Sequence, residues 1–91
     1  MTPETAEILA LQALAWLAGD EIAIGRFLDL SGLDMAALRE AADSPETGAA
    51  VLDFLLANED LLLRFCEEAN VPPRDLHLAR HRLGGSELRE I

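Results

Sequence analysis

The chain has 91 residues, 51% hydrophobic and only 4% aromatic, with 17 acidic against 7 basic residues for a net charge of -10. That length fits one domain with a modest core, and that charge opposes binding to phosphate backbones or anionic lipid. Leu and Ala dominate, no stretch alternates with period two, and no run is rich in Val, Ile and Thr, so the composition points away from a sheet and toward helices.

Taken in order, Thr2-Pro3 opens a first helix: a hydroxyl N-cap, then proline at the first helical position. Glu4 and Glu7 sit near its start, where negative charge suits the helix dipole. It runs to about Ala18 and stops at Gly19. Asp20 caps a second helix, from Glu21 to about Leu30, stopped by Gly32. Asp34 caps a short third, from Met35 to about Ala42. Ser44-Pro45-Glu46 then repeats the opening chemistry and starts a fourth helix that runs to about Ala57. Asn58 caps a fifth, with Glu59 and Asp60 in its first turn, ending near Asn70. Pro72-Pro73 starts a sixth, ending near Leu83 and closed by Gly84-Gly85; residues 86–91 are expected to form a flexible tail.

The chain also resembles itself. A shift of 38 positions, with no gap, places Leu14 on Leu52, Trp16 on Phe54, Leu17 on Leu55 and Glu21 on Glu59. It also places Arg26-Phe27 on Arg64-Phe65, Leu38 on Leu76 and Ala41 on Ala79. Such self-similarity dictates architecture. The expectation is an all-α, compact six-helix bundle in a single domain over residues 1–85, built from two three-helix repeats, about 3–43 and about 45–83. Between Ile8 and Ala18 only Gln12 is polar, and between Ala49 and Ala57 only Asp53. Helices apolar on every side are buried on several sides. The first and fourth helices should therefore pack together at a pseudo-twofold axis, with the other four outside. Trp16 and Phe54 should lie near that axis, largely buried. Gly25, which falls opposite Leu63, suggests a close helix contact.

Chemistry is sparse. The second and third helices have a helix-turn-helix pattern, but the third offers only Arg39 and Glu40 between Asp34 and Asp43. Base and phosphate contacts need more donors than that. The second copy is better supplied, with Arg74, His77, Arg80, His81 and Arg82. His77 and His81 share a helix face at i, i+4, but no second pair completes a metal site. Cys66 follows Phe65 inside an apolar run and reads as a small buried hydrophobe rather than a nucleophile. Carboxylates fall at helix starts (Glu4, Asp20, Glu21, Asp34, Glu46, Glu59, Asp60), where capping and dipole effects explain them. Glu21/Glu59 and Arg26/Arg64 recur in both copies and suggest a symmetric pair of salt bridges. Charge is uneven: residues 1–73 hold 14 acids and 3 Arg, residues 74–91 hold 3 acids and 4 Arg. The basic face of the sixth helix, Arg74, His77, Arg80 and His81, is thus the candidate partner-binding site. No catalytic residue, cofactor site or metal site is expected.

A lone cysteine allows no internal disulfide and fits a reducing compartment. The acidic N-terminal residues suggest no signal peptide, and the longest apolar stretch, eleven residues interrupted by Gln12, is too short to span a bilayer. A cytoplasmic protein is expected.

The stretches Trp16-Leu17-Ala18, Gly32-Leu33-Asp34 with Leu38-Arg39, Val51–Leu56 with Asn58-Glu59, and Ala69–Leu83 followed by Gly-Gly resemble a bacterial family of short proteins known as domain of unknown function 3572. Its Phe-Leu-Ala motif would here be Trp16-Leu17-Ala18. The resemblance covers nearly the whole chain and implies no activity and no catalytic residues. The reading that results is a non-enzymatic protein-interaction module with an unknown protein partner, no nucleic acid and no membrane, and at most a weak homodimer. The alternative is a minor regulatory factor touching nucleic acid through the helix-turn-helix-like second copy.

Overall fold

The computed structural model describes residues 1–84, and the expected Gly84-Gly85 closure past its first glycine, together with the tail 86–91, lies outside them. Six α-helices and no strand make up the described residues: α1 (Pro3–Ala18), α2 (Glu21–Ser31), α3 (Met35–Glu40), α4 (Pro45–Ala57), α5 (Glu59–Ala69) and α6 (Pro73–Arg82). The caps follow from side-chain chemistry. Thr2 Oγ1 accepts from the Thr5 amide at 3.1 Å, and Ser44 Oγ accepts from Thr47 in the same way at 3.1 Å. Asp20 accepts from Ile22 and Ala23 at 3.1 and 3.0 Å, and Asp34 from Ala37 at 2.8 Å. α2 and α5 each end on a left-handed residue, Gly32 at φ 78° and Asn70 at φ 58°. Only glycine and short polar side chains adopt that conformation readily.

Asn58 departs from expectation. It precedes α5 without capping it. Its amide is used both ways: Nδ2 donates to the Phe54 carbonyl at 2.7 Å and Oδ1 accepts from Arg26 at 2.7 Å. Asn58 thus closes the end of α4 and ties it to α2.

α1 and α4 pack against each other as the sequence suggests, and α6 lies across both. Leu76 and Ala79 of α6 are fully buried, so this helix belongs to the core and not to an outer shell. α3 packs more sparingly, with Leu38 its one buried residue. The rest of the core includes Leu9, Ala10, Ala13 and Leu17 of α1, Val51, Leu52, Phe54 and Leu55 of α4, and Phe27, Leu61 and Phe65 from α2 and α5. α1 is not buried all round: Ile8 and Leu11 are exposed.

The 38-residue spacing holds for α2 and α5 at both ends and for the starts of α3 and α6. It does not hold at the starts of the central helices, Pro3 and Pro45, which lie 42 apart; α1 has 16 residues and α4 has 13. α3 has 6 residues against 10 in α6. Both differences have one cause. After Glu40 the chain must turn at 41–44 to reach the Ser44-Pro45 cap, which shortens both α3 and α4.

The close contact is at Gly48, not Gly25. A Cβ on Gly48 would stand 3.1 Å from the Ala10 Cβ and 3.2 Å from Leu83 Cδ1, whereas one on Gly25 would meet nothing within 4 Å. Gly48 therefore sets how near α1 and α4 approach. Gly48→Val is expected to destabilise by about 1–3 kcal/mol through overpacking. Gly25→Ala should stabilise by about 0.5–1 kcal/mol, since helix propensity is gained with no clash. Urea unfolding of the two variants checks both signs.

Candidate functional site

The basic face of α6 is only partly free. Arg74 and His77 are exposed, and so is His81, whose backbone carbonyl accepts from the Gly84 amide at 3.2 Å. Arg80 is committed elsewhere: its Nε donates to Asp53 of α4 at 2.7 Å and its Nη1 to the Gly84 carbonyl at 2.6 Å. With its side chain 23% exposed, Arg80 ties the end of α6 to α4. Cys66 is buried, and burial, with the Asp75 charge second, pushes its thiol above the ordinary range. That is the reverse of what a nucleophile needs. No group of three or more His, Cys, Asp or Glu that could hold a metal occurs among the described residues.

The polar residues that recur in the sequence do meet, but not as Glu–Arg pairs. Arg64 of α5 donates to Asp20, before α2, at 3.1 Å, and Arg26 of α2 donates to Asn58, before α5, at 2.7 Å. Asp20 and Asn58 are themselves 38 positions apart. The Asp20 carboxyl lies below the ordinary 3.8, first because the Ala23 amide bonds it and then through Arg64. Its contribution to stability is complete above that ordinary value and is lost as pH falls through the lowered one.

The aromatic residues show the same reciprocity. Trp16 of α1 meets Phe65 of α5 edge-on, centroids 5.7 Å apart, and Phe54 of α4 meets Phe27 of α2 edge-on at 5.5 Å. The two ends then differ. Trp16 is half-buried rather than largely buried, because its indole N–H needs an acceptor and finds Glu68 Oε1 at 2.8 Å at the surface. The Arg64 guanidinium lies 5.5 Å above the same ring. Phe54 is buried, and the position matching Glu68 is Leu30, which is 75% exposed.

That difference leaves a groove. Between α2 and α4, a cleft of about 360 Å³ is lined by Phe27, Leu30, Ser31, Ala50, Asp53, Phe54 and Ala57. Its walls are apolar and its polar edge is Asp53 with Ser31. A second cleft adjoins it along α4, sharing Ala50 and Asp53 and reaching Glu46. Asp29, next to Leu30 on α2, is exposed. Sequence reasoning missed this site. The signal was present in the 38-residue alignment, where Trp16 falls on Phe54 and Leu30 on Glu68, so that a Trp–Glu pair matches a Phe–Leu pair.

Among the described residues no single helix is long and apolar enough to cross a membrane. The chain matches over residues 3–86 the family model described as Protein of unknown function (DUF3572), and it belongs to that family. No curated protein and no solved structure matches it.

Proposed function

We propose that this family member is a non-enzymatic protein-interaction module, made of two copies of a three-helix unit, whose α2–α4 groove receives an apolar side chain from a basic segment of a partner protein. The duplication is supported by the reciprocal contacts. Each copy sends its large aromatic and its arginine to the other, Trp16 to Phe65 and Phe54 to Phe27, Arg26 to Asn58 and Arg64 to Asp20. The observation that carries the binding role is the groove beside Phe54 and Leu30, whose counterparts Trp16 and Glu68 are instead joined by a hydrogen bond. Apolar walls with a few polar edge groups suit an amphipathic helix laid into a groove. Glu46 at the edge of the adjoining cleft, on a chain of net charge -10, favours basic flanking residues in that helix. A cytoplasmic setting accords with this role, and no step of it needs a cofactor.

The nucleic-acid alternative is weaker. Arg80 is held by Asp53, which leaves Arg74, His77 and Arg82 as the exposed donors of α6. Titrating a synthetic helix with Leu on one face and Arg on the other into isotope-labelled protein tests the proposal. Amide shifts should centre on Phe27, Leu30, Ala50, Phe54 and Ala57. Shifts centred on α6, or none with the peptide in large excess, would refute it.

A further inference from the structure

The α2–α4 groove continues along α4 into the second cleft. One stripe of α4, made of Glu46, Ala50, Asp53 and Ala57, lines the two clefts from end to end. These residues follow one another at spacings of four, three and four, the repeat of a helix-pairing seam. The stripe covers about 16 Å of helix. Its Ala57 end is walled by α2, and its Glu46 end by Leu83 and Gly84 at the close of α6. The second cleft holds about 330 Å³, close to the 360 Å³ of the first. α4 gives residues 46, 49, 50 and 53 to the second cleft and 50, 53, 54 and 57 to the first, the same set moved by four. The two clefts are therefore about one helical turn apart, roughly 6 Å along α4.

Resting on the reading of the α2–α4 groove as a docking site, we infer that the partner helix carries two apolar anchors four residues apart, one for each cleft, and a basic residue three beyond the second anchor, beside Glu46. Three observations select this occupant. First, a helix laid along α4 advances at the same rise per residue, so side chains at i and i+4 stand over clefts that are four residues apart on α4. Second, charge is uneven along the stripe. The Asp53 carboxylate, shared by both clefts, already accepts from Arg80 Nε at 2.7 Å. Glu46 is exposed and has no ion-pair partner among the described residues. A basic side chain is thus favoured at the Glu46 end and not between the anchors. Third, Glu46 stands in the first turn of α4. A partner running antiparallel to α4 brings its own C-terminal end there, where its dipole also favours positive charge. The occupant reads Leu-x-x-x-Leu-x-x-Arg, with the first Leu between α2 and α4 and the second between α4 and the end of α6.

Titration of a synthetic helical peptide of this pattern, otherwise Ala and Gln, into the isotope-labelled full chain tests the inference. The peptide should shift the amides of Ala49, Leu83 and Gly84 together with those of Phe27 and Ala57. Replacing its second Leu by Ala keeps its helix propensity. That change should raise Kd about tenfold or more, silence Leu83 and Gly84, and leave the shifts at Phe27 and Ala57. Glu46→Gln should weaken the parent peptide about threefold and leave unaffected a peptide with Gln in place of Arg. An equal effect on both of those peptides would overturn the pairing with Glu46. If the one-Leu and two-Leu peptides bind alike at Phe27 and Ala57, or if Leu83 and Gly84 never shift, the two-anchor inference fails and the α2–α4 groove stands as a single docking site. If no peptide shifts any of these amides, the docking reading fails with it.

Discussion

Phe65→Ala is expected to remove about 3–5 kcal/mol of stability, and Phe27→Ala a similar amount. A domain of this size has about 5–14 kcal/mol in all, so either change removes a large share of it. Both rings are almost fully buried, 1% and 2% exposed, and each reaches across to the other half of the molecule. Phe65 packs on Trp16 of α1, and Phe27 packs on Phe54 of α4. Truncating either leaves a cavity and also loosens the hold of α1 on α5 or of α4 on α2. Leu63→Ala is the control. It lies on the same helix as Phe65 but is 52% exposed, and should change stability by less than about 0.5 kcal/mol. Chemical denaturation compares all three. Equal losses for Phe65→Ala and Leu63→Ala would contradict the reciprocal packing.

Leu76→Ala is expected to cost about 2–5 kcal/mol, because α6 is a core helix and Leu76 is fully buried between it and the central pair. Changes on the outer side of the same helix separate two roles that the sequence groups together. Arg74→Glu, at an exposed position, should stay within about 0.5 kcal/mol of the parent. Arg80→Glu should cost about 1–2 kcal/mol, since it removes the bonds to Asp53 and to the Gly84 carbonyl and sets two carboxylates together. Thermal melts report the order, Leu76→Ala lowest, then Arg80→Glu, then Arg74→Glu. If Arg80→Glu melts with the parent, the arginine is part of a free basic face after all.

Helix positions were legible because each start and stop carries a chemical sign. Thr2-Pro3 and Ser44-Pro45 form matching caps, and Gly32 and Asn70 form matching left-handed ends. The pairing of α1 with α4 was legible from their length of unbroken apolar sequence. Four features were not. Gly48 and Gly25 both look like small residues inside helices, and only tertiary placement tells which one meets a neighbour. The choice of Asp20 and Asn58 over Glu21 and Glu59 as arginine acceptors depends on a single residue of helical rotation. The role of α6 was hidden because its sequence is the most polar of the six, and two small contacts, Leu76 and Ala79, carry its burial. The groove escaped because the repeat draws attention to what matches, whereas the groove is made by Leu30 and Phe54 failing to match Glu68 and Trp16.

Transplanting that mismatch tests the account most directly. The double variant Leu30→Glu/Phe54→Trp gives the α2–α4 side the hydrogen-bonded pair found on the α1–α5 side. If the two sides are equivalent and the groove is the docking site, the new indole should occupy the cleft and donate to the new carboxylate. The Leu/Arg helical peptide should then no longer shift the amides of Phe27, Ala50 and Ala57, while the melting temperature stays at or above that of the parent. Peptide binding as strong as the parent's, or a melt many degrees lower because the indole finds no room, would contradict it.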